Sequence, residues 1–153
     1  MRYRRAGEAW EPLSGAADPA NWRVNCLGNR MTIARDEAEN AVCFRADMSG
    51  HNVRFRWFFP QYNFPEGQNL GHATELLLDL KPGEGSEKAA VYVLQKEPPY
   101  KYGERLELVE ELPDGWKTYR LKLLFPEEIT ALQFGYAINP EQAEFRIRNV
   151  RIK

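Results

Sequence analysis

From Trp116 to Phe125 the chain alternates: Tyr119, Leu121 and Leu123 fall on one side, and Thr118, Arg120 and Lys122 on the other. Successive side chains of a strand point to opposite faces, so this run reads as a strand with one buried face. The pattern recurs in Leu132 and Phe134 against Gln133 and Gly135, and in Phe145 and Ile147 against Arg146 and Arg148. A helix would repeat its apolar positions every three to four residues instead. The best helical candidate, Thr32 to Ala41, has no continuous apolar stripe.

Turn residues punctuate these runs. Gly28-Asn29 closes Trp22 to Leu27, Arg30 to Arg35 comes next, and Ser49-Gly50 closes Ala41 to Asp47. Pro60 ends Val53 to Phe59, and Lys81-Pro82-Gly83 ends Glu75 to Leu80. Ala89 to Gln95 runs into Pro98-Pro99, and Arg105 to Glu110 precedes Pro113-Asp114-Gly115. Pro126-Glu127-Glu128 forms a tight turn before Ile129 to Ala137, and Asn139-Pro140 separates that run from the last, Phe145 to Ile152. Roughly ten short strands with regular turn signals predict an all-β, two-sheet antiparallel sandwich of the jelly-roll kind. No linker or repeat divides residues 1–153, so one domain is expected, as a module of a larger protein. Two long loops are expected at 61–74 and 96–104.

The charge balance narrows the function. Twenty-one basic and 22 acidic side chains leave a net charge of -1, with no basic stripe of the sort that tracks phosphates. Nucleic acid is therefore not an expected partner. No apolar run reaches the ~20 residues that span a bilayer, and no signal peptide follows Met1. If the protein is exported, its signal is expected upstream. Cys26 and Cys43 sit in apolar runs and are expected as buried free thiols rather than a disulfide. With His51 and His72 they show no zinc-ligand spacing.

Catalytic signatures are missing. The sequence has no nucleophile elbow, phosphate loop or His-Glu-x-x-His pair. Glu75 and Asp79 share a strand face but stand roughly 13 Å apart by strand rise, too far for paired glycosidase carboxylates. Glu107, Glu110 and Glu111 read as a solvated edge. No catalytic residue is assigned.

Aromatic residues point to binding instead. Flat rings stack on the C–H faces of sugars while planar polar groups meet the hydroxyls, and rigid side chains lose little entropy in doing so. Tyr100 and Tyr102 follow Pro98-Pro99, and Tyr62 and Phe64 lie between Pro60 and Pro65. Val91 and Val93 read as core, which turns Tyr92 to the opposite face. Phe58 shares its side of a strand with Arg54 and Arg56. The expected ligand site is Arg56, Phe58, Tyr92, Tyr100, Tyr102, Arg120 and Gln133, with Trp22, Trp57 and Trp116 left to packing.

Four segments carry a resemblance: Arg56-Trp57-Phe58-Phe59-Pro60, Leu76-Leu77-Leu78-Asp79-Leu80-Lys81, Gly115-Trp116, and Phe145-Arg146-Ile147-Arg148-Asn149-Val150-Arg151-Ile152. Together they resemble the jelly-roll carbohydrate-binding modules with a galactose-binding-like fold. The resemblance implies noncatalytic binding of a polysaccharide or oligosaccharide, beside an attached catalytic domain, in the extracellular space or periplasm. Many such modules hold a structural calcium through an acidic residue near the final strand. Here Arg148 stands where that aspartate is found, so no cofactor is expected and the calcium site is in question. Two other readings are a structural sandwich domain with no ligand and a glycan-active enzyme.

Overall fold

A computed structural model describes residues 10–23, 31–47, 56–65, 68–71, 73–83, 90–138 and 142–153. At 56–58, 90, 135–138 and 143 only the course of the backbone is described. The strands are β1 (Glu11–Pro12), β2 (Trp22–Arg23), β3 (Met31–Asp36), β4 (Ala41–Asp47), β5 (Arg56–Phe58), β6 (Gln61–Asn63) and β7 (Glu75–Pro82). They continue with β8 (Ala90–Gln95), β9 (Lys101–Glu104), β10 (Glu107–Glu111), β11 (Lys117–Lys122), β12 (Ile129–Ile138) and β13 (Gln142–Ile152). Helix is confined to short 3-10 turns at Ser14–Ala17, Pro19–Asn21, Pro113–Gly115 and Pro126–Glu128. No described helix is long and apolar enough to cross a membrane.

All pairings are antiparallel, and they build two sheets. The first runs β10-β11-β7-β13-β4-β3, with β1 taking over beside β13 at Arg151 and Ile152. The second runs β2-β6-β12-β8-β9, with β5 continuing the β6 side of β12. The all-β sandwich is as the alternation requires. Thr32 to Ala41, the helical candidate, is β3, a turn and the start of β4. Asn40 closes that turn at φ 54°, a left-handed conformation that asparagine tolerates better than most residues.

Both expected loops contain strands. Gln61-Tyr62-Asn63 holds one apolar residue, and Lys101-Tyr102-Gly103-Glu104 holds a glycine. Segments so short carry too little alternation to read, and their pairing with β12 and β8 is what makes them strands. The expected strands at Trp22 to Leu27 and Val53 to Phe59 are described only in part, and Cys26, His51 and His72 lie outside the described residues.

The core lies between the sheets. Leu76, Leu78 and Leu80 of β7 face Leu132 and Phe134 of β12, with Phe44 and Phe145 stacked 5.2 Å apart between β4 and β13. Trp22 closes the aromatic group edge-on to Phe44 at 5.0 Å, and its Nε1 donates to the Ala16 carbonyl at 2.9 Å. Leu121, Leu123, Leu132, Phe134, Phe145 and Ile147 are buried as their phase predicts, while Tyr119 is half-buried against the same core. Cys43 is a buried free thiol, raised in pKa mainly by burial.

The outer face of the first sheet is tiled with charge. Arg146 donates to Asp36 at 2.7 Å and pairs with Glu144 at 2.6 Å. Lys81 and Trp116 Nε1 both donate to Glu39, each at 3.1 Å. Arg148 lies 3.9 Å over the Trp116 ring. Asp79 is almost fully buried, accepting from Thr118 at 2.8 Å, with Arg148 and Arg151 within 3.9 Å. Trp116 is thus buried as expected, but against the outside of a sheet rather than between the two.

Truncating Phe134 to Ala is expected to cost about 3–5 kcal/mol, since it empties a ring-sized space in a closed core. Chemical denaturation measures this, and a loss under about 1 kcal/mol would show the strand phase to be inverted. A second expectation concerns acid. The hydrogen bond from Arg146 holds Asp36 below its ordinary 3.8, and those from Lys81 and Trp116 hold Glu39 below 4.5. Their stabilisation is complete above those unfolded values and is lost as pH falls through the lower folded ones. The thermal midpoint should therefore drop below about pH 5, and drop less steeply in Asp36→Asn and Glu39→Gln. An acid limb unchanged in both variants would contradict this.

Candidate functional site

Alternation within a strand tells inside from outside, but not which sheet's outside. The structure separates the expected site residues on that point. Arg120 lies on β11 in the first sheet, where it donates to Glu107 at 2.8 Å and pairs with Glu75 at 3.6 Å. Tyr92 and Gln133 lie on β8 and β12 in the second sheet, directly opposite one another. Arg120 therefore belongs to the charged tiling and does not share a groove with them.

The tyrosines divide too. Tyr102 pairs with Val93, so it carries inward parity and packs against the core, where burial raises its pKa. Tyr100 stands at the tip of the β8–β9 hairpin, 60% exposed and at φ 66°. Neither joins Tyr92 on the sheet face. Tyr62 and Phe64 do not form an exposed aromatic pair either. Tyr62 is buried, bonds to Gln68 through its hydroxyl, and has its pKa pushed up to about 12 by burial. Phe64 packs on it at 5.6 Å. Arg56 and Phe58 lie on β5 in register with Ile138 and Tyr136, and their side chains are outside the described set.

What remains is one continuous row across the second sheet: Arg23, Gln61, Gln133, Tyr92 and Gly103, each in register with the next. Phe59 meets the Tyr92 ring edge-on at 5.1 Å. Gly103 lies beside the ring, where even a Cβ would come within 3.5 Å of Tyr92 Cε1. Lys101 holds its ammonium 4.9 Å from the ring centroid. Small residues, Ala131 and Gly135, continue the central strand on either side of Gln133. Ala131, Gln133 and Phe59 are buried on this face, and Tyr92 is half-buried beside them.

A line of primary amides runs along this face. Gln133 Nε2 donates to Gln61 Oε1 at 2.8 Å, and Gln61 Nε2 donates to Asn63 Oδ1 at 2.8 Å. The line ends unsatisfied: Gln133 Oε1 and Asn63 Nδ2 are buried and have no hydrogen-bond partner. Leaving a buried polar group unpaired costs about 1–3 kcal/mol, and a partner from outside removes that cost. Gln61 and Asn63 are absent from the expected site because they lie where the sequence predicts a loop. Their visible signal is the polar-aromatic-polar order around Tyr62, which mirrors Leu132-Gln133-Phe134 on the neighbouring strand.

Metal binding finds no cluster here. Among the described residues no group of three His, Cys, Asp or Glu side chains is placed to hold an ion. At the final strand, Arg148 sits between Glu39 and Asp79, within 3.9 Å of each.

Comparison with known proteins gives a fold but no family. No family model matches the chain, and no curated protein matches it significantly. Among solved structures, a family 29 carbohydrate-binding module complexed with cellulohexaose is similar, with 17% identity, a TM-score of 0.59, and coverage of 94% of this chain and 89% of that one. A family 11 module from Clostridium thermocellum in complex with a β-1,3-1,4-mixed-linked tetrasaccharide gives 16%, 0.59, and 94% of both chains. The K1 cleaved adhesin domain of Lys-gingipain from Porphyromonas gingivalis gives 15%, 0.56, 95% and 96%. Likeness at this identity establishes the β-sandwich fold that these modules share.

The two tyrosines excluded from the face should behave differently on truncation. Tyr102→Ala is expected to lower stability by about 1–3 kcal/mol, because a core-packed ring is lost. Tyr100→Ala should stay within about 0.5 kcal/mol of the parent. Equal effects in a denaturant titration would put both rings in the same environment and contradict the assignment.

Proposed function

We propose that the protein is a noncatalytic carbohydrate-binding module that holds a glycan across the outer face of its second sheet. The observation that carries this is the amide line Gln133–Gln61–Asn63, which ends in a buried acceptor without a partner on Gln133, opposite Tyr92, and a buried donor without a partner on Asn63. A sugar hydroxyl both donates and accepts, so one kind of ligand group satisfies both ends. The half-buried Tyr92 ring supplies the apolar surface for the C–H face of a pyranose. The solved modules of the same fold, in complex with cellulohexaose and with a mixed-linked tetrasaccharide, support an extended oligosaccharide as ligand.

The first sheet offers no comparable place. Most of its outward charged groups are engaged with one another, and a ligand at those positions would have to break ion pairs to bind; Arg120 Nε is the first sheet's one buried side-chain atom without a hydrogen-bond partner among the described residues, and its guanidinium is already held by Glu75 and Glu107. A glycosidase would need two carboxylates across the groove. Among the described residues, the strand positions on the amide face carry no Asp or Glu. The reading extends to a module of an exported protein that delivers an attached catalytic domain to its polymer, with no resident metal or cofactor.

Isothermal titration with a panel of soluble oligosaccharides tests this. The parent protein should bind at least one with modest affinity, because a shallow groove must offset the ordering of both partners. Tyr92→Ala and Gln133→Ala should each weaken binding by about tenfold or more, as loss of a stacked ring or a buried hydrogen bond does. Arg120→Ala should leave it unchanged. If the parent binds no glycan in a broad panel, the domain is structural and the face has another use. If it binds and neither Tyr92→Ala nor Gln133→Ala matters, the ligand lies elsewhere.

A further inference from the structure

The two faces of the sandwich differ in their ionic content, and the difference bears on what the groove selects. On the first sheet, Asp36, Glu39, Glu75, Asp79, Glu107 and Glu144 are each set against an arginine or lysine. On the amide face of the second sheet, the ionised side chains at described strand positions are Arg23 and Lys101. Both are exposed, and neither forms an ion pair among the described residues. They stand at opposite margins, on β2 and β9, roughly 19 Å apart across four strand spacings. Lys101 is not directed away from the site, because its ammonium lies over the Tyr92 ring.

We propose, on the footing of the glycan reading above, that this groove prefers acidic glycans: oligosaccharides whose sugars carry carboxylates, held by Lys101 over Tyr92 and by Arg23 at the far margin. A neutral sugar stacked on Tyr92 must displace the Lys101 ammonium and gains nothing from it. A uronate stacked on the same ring brings a carboxylate to that ammonium. The amide line is indifferent to charge and serves hydroxyls in either case. Arg23 and Lys101 thus act as specificity residues, with Gln133, Gln61, Asn63 and Tyr92 as the shared seat.

The test compares two soluble hexasaccharides with the same β-1,4 backbone: cellohexaose, and its counterpart oxidised to glucuronate at C6. The acidic hexasaccharide should bind the parent protein about 3- to 10-fold more tightly in low salt, the size expected of one or two exposed ion contacts. The preference should shrink below about twofold near 1 M sodium chloride, where the screening length is about 3 Å. The double variant Arg23→Gln, Lys101→Gln should lose the preference at low salt while still binding cellohexaose. Cellohexaose binding as tightly as the acidic form, or a preference that survives in the double variant, overturns this proposal and leaves the glycan reading standing. Failure of both hexasaccharides, and of every other glycan in the panel, removes both.

Discussion

The guanidinium of Arg148 lies 3.9 Å over the Trp116 ring, and four elements meet there. Trp116 leads into β11, Arg148 belongs to β13, Asp79 to β7, and Glu39 to the turn between β3 and β4. Arg148 donates to the Glu39 carbonyl at 3.1 Å and approaches both carboxylates, while Trp116 Nε1 donates to Glu39. A cation on an indole face gains more as water is excluded, and Trp116 is 1% exposed. The bulge in β13 makes this possible. Asn149 takes φ 55°, shifts the register between Arg148 and Arg151, and so brings both arginines to the same buried carboxylate. Removing either arginine would leave Asp79 short of compensation in a nearly dry position, which costs more than the intact arrangement contributes.

This arrangement also decides which face is free to act. A sheet that secures itself by pairing outward charges presents few groups to a ligand, because most are already matched. The second sheet is built in the opposite way. On its amide face stand amides, small residues, the half-buried Tyr92 ring and, at the margins, the exposed Arg23 and Lys101, and the amide hydrogen bonds run in a line that stops short at both ends.

The sandwich is legible in the sequence because period-two alternation over long strands such as β11 and β13 fits a half-buried strand and does not fit a helix. Tyr92 and Gln133 are legible as outward residues for the same reason. Nothing in the pattern says that Arg120 and Gln133 face away from each other through the thickness of the protein, because alternation carries no sheet label. Tyr102 is misplaced for a related reason. Reading 96–104 as loop leaves its side chain without a phase, whereas pairing with Val93 gives it one. Gln61 and Asn63 are hidden because a three-residue strand is defined by its neighbour rather than by its own composition.

A line of carboxamides has a sense, like a row of arrows. In Gln133–Gln61–Asn63 the first arrow runs from β12 to β6 and the second along β6, both pointing away from Gln133, which leaves an acceptor at the Gln133 end and a donor at the Asn63 end. Turning all three groups over would keep both internal hydrogen bonds and exchange the character of the two ends. Turning one alone would set like against like. The three groups are therefore coupled as a single two-position element, and either position can be completed by a hydroxyl. On the glycan reading proposed above, a polymer held on this face would have a reducing and a nonreducing end. An element that reverses as a unit can meet such a chain threaded in either direction without rebuilding the floor beneath it.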